Sequence, residues 1–315
     1  MPVTFPTRDD QPELPADWHA PQVDELIEGA VDLHVHPFPS PFPRRMGIIE
    51  AARDAANAKY RAIVVKSHHH SMVPEVLALQ EAGLGDIPVQ VFGGIALNPP
   101  VGGLNPYAVD LALNLGAKIV WFPTISSPAH LHHEEEGGSF PNSTVTLRRA
   151  YPLSILDADG AVKPEVFDIL EQIRDHGAIL TGGHLPASEI DILITAAQQL
   201  GVQRIVVNHP NFIVGASFEL VREWARKGVF IEHAFAMYDK LFGTRKNPFE
   251  FAVLERYIAE AGAAQTIIVS DTGQRGNPRP VDIVKSAIKA LLDHGFDENS
   301  IKSMTGGNAA QLLLG

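Results

Sequence analysis

The chain has 315 residues, 25 Lys and Arg against 37 Asp and Glu for a formal net charge of −12, and no cysteine. This acidity argues against nucleic acid or an anionic membrane as partner, and the missing thiols exclude disulfides, iron–sulfur clusters, thiolate zinc sites and a cysteine nucleophile. Any metal must therefore be held by imidazole and oxygen.

In chain order, Met1 to Trp18 is rich in Pro and acidic residues and lacks the apolar segment of a signal peptide or membrane anchor, so a cytoplasmic location is expected. Residues 1–29 read as an extended arm with a short helix over 22–28, either packed on a neighbouring subunit of a homo-oligomer or draped over its own surface. After the arm come eight short apolar runs, at 31–36, 62–66, 89–97, 118–122, 178–182, 204–208, 229–232 and 266–270. Runs of this length and composition fit strands buried on both faces.

Between the runs the apolar residues recur with helical period. Val166, Ile169, Leu170 and Ile173 make one stripe, Ile190, Leu193, Ile194 and Ala197 another, and Val284, Ala287, Ile288 and Leu291 a third. Asn105-Pro106 and Pro164-Glu165 mark helix starts, while Gly177, Gly201, Gly228 and Gly262 mark stops. Strand–helix alternation without hairpin signals predicts parallel strands joined by crossover helices. The expected fold is α/β, a single (β/α)8 TIM barrel over residues 30–315, with 125–163 as a long insertion after strand 4. A doubly wound sheet is second, disfavoured because no Gly-x-Gly-x-x-Gly turn follows the first strand.

In such barrels the chemistry lies at the C-terminal ends of the strands. His34 and His36, two apart on strand 1, point the same way and could share a metal ion, or simply form the polar end of a strand. Strand 2 ends in Lys66-Ser67-His68, strand 5 in Gly183-His184, strand 6 in Asn208-His209, strand 7 in Glu232-His233 and strand 8 in Ser270-Asp271. So many ionisable residues on one rim point to a site.

With His34-Val35-His36 on strand 1, His184 on strand 5, His209 on strand 6 and Asp271 on strand 8, the sequence resembles the amidohydrolase superfamily of metal-dependent barrel enzymes from Asp32 to its end. The segment 304–313, with Asn308-Ala309-Ala310 ahead of leucines, is similar to the last helix of that superfamily. Segments 66–68, 93–98, 102–106 and 120–124 are similar to one branch of it.

The resemblance implies that His34, His36 and Asp271 bind one metal ion and that His184 and His209 serve that ion or a second. Such ligands suit zinc first, or manganese, iron or nickel, and an open position would bring bound water towards neutral pKa. Asp271 would then take the water's proton and deliver it to the leaving group, with His209 a further catalytic candidate. One departure stands out: members with two metals place a carboxylated Lys or a Glu at the end of strand 4, whereas here that strand ends Trp121-Phe122-Pro123-Thr124. Lys66 is a candidate substitute, as a carbamate ligand or as a cation facing an anionic substrate or oxyanion.

Further candidates for the substrate or its surroundings are His68, Glu232 and Arg275. Glu232 could orient a ligand histidine or form a salt bridge in the barrel mouth, and Arg275 could clamp a substrate carboxylate or be solvated. The insertion 125–163 holds His130, His132, His133 and Glu134-Glu135-Glu136; it reads as a lid or oligomer contact with solvated charges, anchored by Phe140 and Tyr151. The expected function is hydrolysis of an amide, lactone or ester bond of a small, anionic molecule by metal-bound hydroxide. Decarboxylation or hydration comes second, phosphoester hydrolysis third, and a degenerate binding barrel is the non-enzymatic alternative.

Overall fold

The computed structural model describes residues 14–138, 140, 143–241 and 248–315. Among these, eight parallel strands run β1 Val31–Val35, β2 Ala62–Val65, β3 Gln90–Ala96, β4 Ile119–Trp121, β5 Ile179–Thr181, β6 Ile205–Asn208, β7 Phe230–Ala234 and β8 Thr266–Val269. They pair in sequence order, β1 to β8, as right-handed crossovers demand. Helices cover the outside, and the three predicted stripes are buried against the strands on Pro164–His176, Ala187–Gln199 and Pro280–Asp293. The (β/α)8 expectation is met.

The barrel closes just beyond the regular strands. The Asp271 N–H donates to the His34 carbonyl at 3.0 Å, and the His36 N–H donates to the Thr272 carbonyl at 2.9 Å. The seam between first and last strand is thus made by the residues expected to carry chemistry. Gly273 belongs to it through its lack of a side chain: a Cβ there would lie 2.0 Å from the His36 carbonyl oxygen.

Inside the barrel Trp121 fills the layer beneath this rim, with its ring 6.3 Å from that of His34. Gly94 on β3 makes the room, because a Cβ would sit 2.4 Å from Trp121 Cζ3 and from the Ile119 carbonyl oxygen.

The described part of the arm, a 3-10 turn Ala16–His19 and a helix Pro21–Leu26, lies on its own barrel, the second of the two arrangements expected of it, where Lys285 Nζ reaches Asp24 Oδ1 at 2.5 Å; the first 13 residues of the arm fall outside the described residues. One expectation needs correction. In the insertion, Tyr151 is 54% exposed and anchors nothing, since the phenol prefers water while Leu153 and Ile155 supply the buried apolar surface.

Candidate metal centre

The site is built from the seam upward. His34 and His36 leave β1 on its inner side, and Asp271 follows β8. His34 Nε2 lies 3.2 Å and His36 Nε2 3.1 Å from Asp271 Oδ1. Among the described residues these three form a group whose ligand atoms all lie within 4.8 Å of one another. Asp271 adopts φ +51° and His209 φ +26°, left-handed backbone that costs a non-glycine residue about 1–3 kcal/mol. Strain at two rim residues indicates positions held for their side chains.

The outer nitrogens decide the tautomers. His34 Nδ1 lies 2.8 Å from Glu232 Oε1, which also accepts from Asn208 Nδ2 at 2.7 Å, so that oxygen is an acceptor and Nδ1 carries the proton. His36 Nδ1 lies 3.1 Å from the Lys66 carbonyl oxygen, which can only accept. Each Nε2 therefore turns a lone pair on the Asp271 carboxylate. Ring protonation is no remedy, because burial pushes both imidazoles down to about 3. Burial pushes Asp271 up, but the adjoining His34 and His36 rings hold it well below the usual carboxylate range. Three buried electron pairs converging in this way can hold a cation, and N/N/O donors with their outer atoms anchored suit a divalent transition metal.

Lys66 is fully buried at the end of β2, with Nζ 2.9 Å from His34 Nε2 and 5.1 Å from the Trp121 ring centroid. Burial pushes its ammonium down, and burial pushes Glu232 up. His184 and His209 stand further back: their rings are 5.0 Å apart, and the His209 ring is 6.1 Å from that of His34. His209 Nδ1 has no hydrogen-bond partner among the described residues, and burial lowers this imidazole to about 4, so it stays neutral.

His68 stacks on His36 at 5.0 Å and contacts Thr124 Oγ1 through Nδ1 at 2.9 Å. Asn98 completes that cluster, donating to the His68 carbonyl and to Thr124 Oγ1 while accepting from the Thr124 and Ser126 N–H groups. A neutral network thus occupies the mouth above β3 and β4. Arg275 is half-buried, and its N–H donates to the Pro43 carbonyl at 3.1 Å.

His130 corrects the picture of a solvated insertion. On the helix Pro128–Glu135, capped by Ser127, it is fully buried, with Nδ1 2.9 Å from His184 Nδ1 and Nε2 3.3 Å from Glu134 Oε1. The i,i+4 spacing of His130 and Glu134 was a visible signal; that their helix folds back onto the rim was not. Arg44 and Asn98 are the other rim residues that sequence reasoning passed over.

Residues 29–232, more than half of the chain, match a family model described as "Family of unknown function (DUF6282)". The chain belongs to that family. Among curated proteins none matches the sequence of this DUF6282 member. Solved structures similar to it include an amidohydrolase from Pseudomonas aeruginosa, 12% identical with TM-score 0.59, covering 92% of this chain and 98% of that one. A dihydropyrimidinase from Brevibacillus agri is 13% identical with TM-score 0.55 over 91% of this chain and 70% of that one. A mutant organophosphorus hydrolase from Deinococcus radiodurans is 16% identical with TM-score 0.55 over 92% and 94%. At these identities the likeness is one of fold: the DUF6282 chain shares the (β/α)8 barrel of these structures.

Proposed function

We propose that this protein is a metal-dependent hydrolase that cleaves an amide, lactone or ester bond of a small molecule. The observation that carries the reading is the convergence of the His34 and His36 Nε2 lone pairs on Asp271 Oδ1, with both Nδ1 atoms fixed from behind by Glu232 and the Lys66 carbonyl. His34, His36 and Asp271 would hold the ion, zinc by the nature of the donors, with His184 and His209 facing the same space. When bound, such an ion supplies Lewis acidity and lowers the pKa of coordinated water.

The remaining work falls to the chain. Asp271 would take the proton removed from the attacking water and return it to the leaving group; His209, neutral and with an Nδ1 unpartnered among the described residues, is the second acceptor. Trp121 closes the floor against water from the barrel axis. Lys66 cannot keep its ammonium against His34 Nε2 once that lone pair is used, and the electrostatic conflict favours the neutral amine or its carbamate. The dihydropyrimidinase and organophosphorus hydrolase among the similar structures are consistent with hydrolysis as the chemistry.

The test is metal content of protein purified without chelator, together with turnover of a panel of lactones, cyclic amides and esters. We expect about one transition-metal ion or more per chain and hydrolysis that a chelator abolishes. Protein that neither carries nor takes up metal would overturn the proposal.

A further inference from the structure

We propose that Arg44, with His69, forms a subsite for the carboxylate of a small substrate with an apolar body. This deepens the hydrolase reading and rests on it, since the subsite adjoins the same rim. Arg44 is 3% exposed, and among the described residues its Nε has no hydrogen-bond partner and no carboxylate forms an ion pair with it. A buried guanidinium N–H without an acceptor is costly; the Asp271 charge acts on Arg44 from beyond ion-pair distance, and its Oδ1 is committed to His34 and His36. No described residue supplies the missing hydrogen-bond acceptor for Nε, which leaves that donor open to a ligand.

The loop holds Arg44 in this position. Arg44 bridges Gln274, the Arg45 N–H donates to the Gly273 carbonyl at 2.8 Å, and the Phe38 N–H donates to the Met46 carbonyl at 2.8 Å, so the segment is tied to the seam that carries Asp271. The guanidinium carbon lies 5.7 Å from the Phe42 ring centroid. On the same ring, at 5.0 Å, rests His69, whose two nitrogens also lack partners. Phe42 is therefore flanked by two side chains with unused donors, within reach of His68, whose ring stacks on His36.

The surroundings indicate what the anion is attached to. Phe140 packs on Phe42 at 5.7 Å, and a cavity of about 720 Å³ opens beside His69, walled by Pro99, Pro100, Ile125, Leu147 and Tyr151 and edged by Arg148 and Arg149. An apolar body fits there. A planar fork offering Nε matches the two oxygens of a carboxylate better than a tetrahedral oxyanion, and one negative charge balances one guanidinium.

The experiment is calorimetric titration of metal-loaded wild type, Arg44→Met and His69→Phe with benzoate and with inorganic phosphate, with metal content and thermal melts on the same samples. We expect benzoate binding to weaken at least about tenfold in Arg44→Met at unchanged metal content, with a smaller loss in His69→Phe. Free of an unpaired buried cation, Arg44→Met should melt no lower than wild type without ligand. Equal benzoate affinity in wild type and Arg44→Met, no benzoate binding by wild type at millimolar concentration, or preference for phosphate would overturn the subsite. So would an Arg44→Met variant that melts lower or fails to fold, which would give Arg44 a structural partner. Protein that takes up no metal yet binds benzoate through Arg44 would remove the hydrolase reading and leave the subsite standing.

Discussion

The backbone N–H of Asp271 donates to the His34 carbonyl at 3.0 Å, while the Asp271 carboxylate lies 3.2 Å from Nε2 of the same histidine. Barrel closure and the metal centre therefore share residues, and a bound ion would bridge the first and last strands. Removing the metal should then lower the melting temperature by a margin that grows with metal concentration, as for any ligand that binds the folded state alone, with about 3–4 kcal/mol expected at a hundred to a thousand times the dissociation constant. Melts of chelated and metal-reloaded protein that coincide would contradict this.

Asp271→Asn keeps an oxygen toward the histidines but loses the charge. Partial metal retention with at least about a hundredfold loss of kcat is expected from its two duties as ligand and proton acceptor. Metal analysis beside steady-state kinetics separates the two, and undiminished turnover would refute both.

Glu232 fixes the His34 tautomer from behind. Glu232→Leu should weaken metal binding by about 10–100-fold, and Glu232→Gln, which keeps the acceptor, by less. Competition titration with a chromogenic chelator measures both, and a metal affinity unmoved by Glu232→Leu would show that His34 needs no partner.

His130 reaches His184 from the insertion. His130→Phe preserves bulk against Phe140 but leaves His184 Nδ1 unpaired, and a destabilisation of about 1–3 kcal/mol is expected from that buried nitrogen, accompanied by a drop in kcat/KM. Chemical denaturation and kinetics together check it. Loss of activity without loss of stability would point to His184 orientation alone.

Gly94→Ala tests the floor of the site. Its Cβ has nowhere to go but into Trp121 or the Ile119 carbonyl, so a loss of about 1–3 kcal/mol or more is expected. A Gly94→Ala variant as stable as wild type would mean that the indole has room to move.

The barrel was legible because burial on both faces turns strands into unbroken apolar runs and helices into stripes, two patterns that alternate without interruption. His34, His36, His184, His209 and Asp271 could be placed on the rim because each stands at the end of such a run. Asn98 and Thr124 stand at the rim just as plainly, but they carry no charge to mark them. Arg44 and His130 lie in a Pro-rich loop and an insertion, where no period sets direction. Their burial depends on contacts with Phe42, Phe140 and His184 that only the folded chain makes.

Trp121, seated in the space that Gly94 leaves, has a consequence for traffic. A barrel stoppered just beneath its rim is closed from below, so access is from the rim side, where Arg44 and the insertion lie. On the hydrolase reading, whatever is cleaved would leave by the door it entered, so product and incoming substrate would exclude one another. Accumulated carboxylate product would then act as a competitive inhibitor of the next turnover.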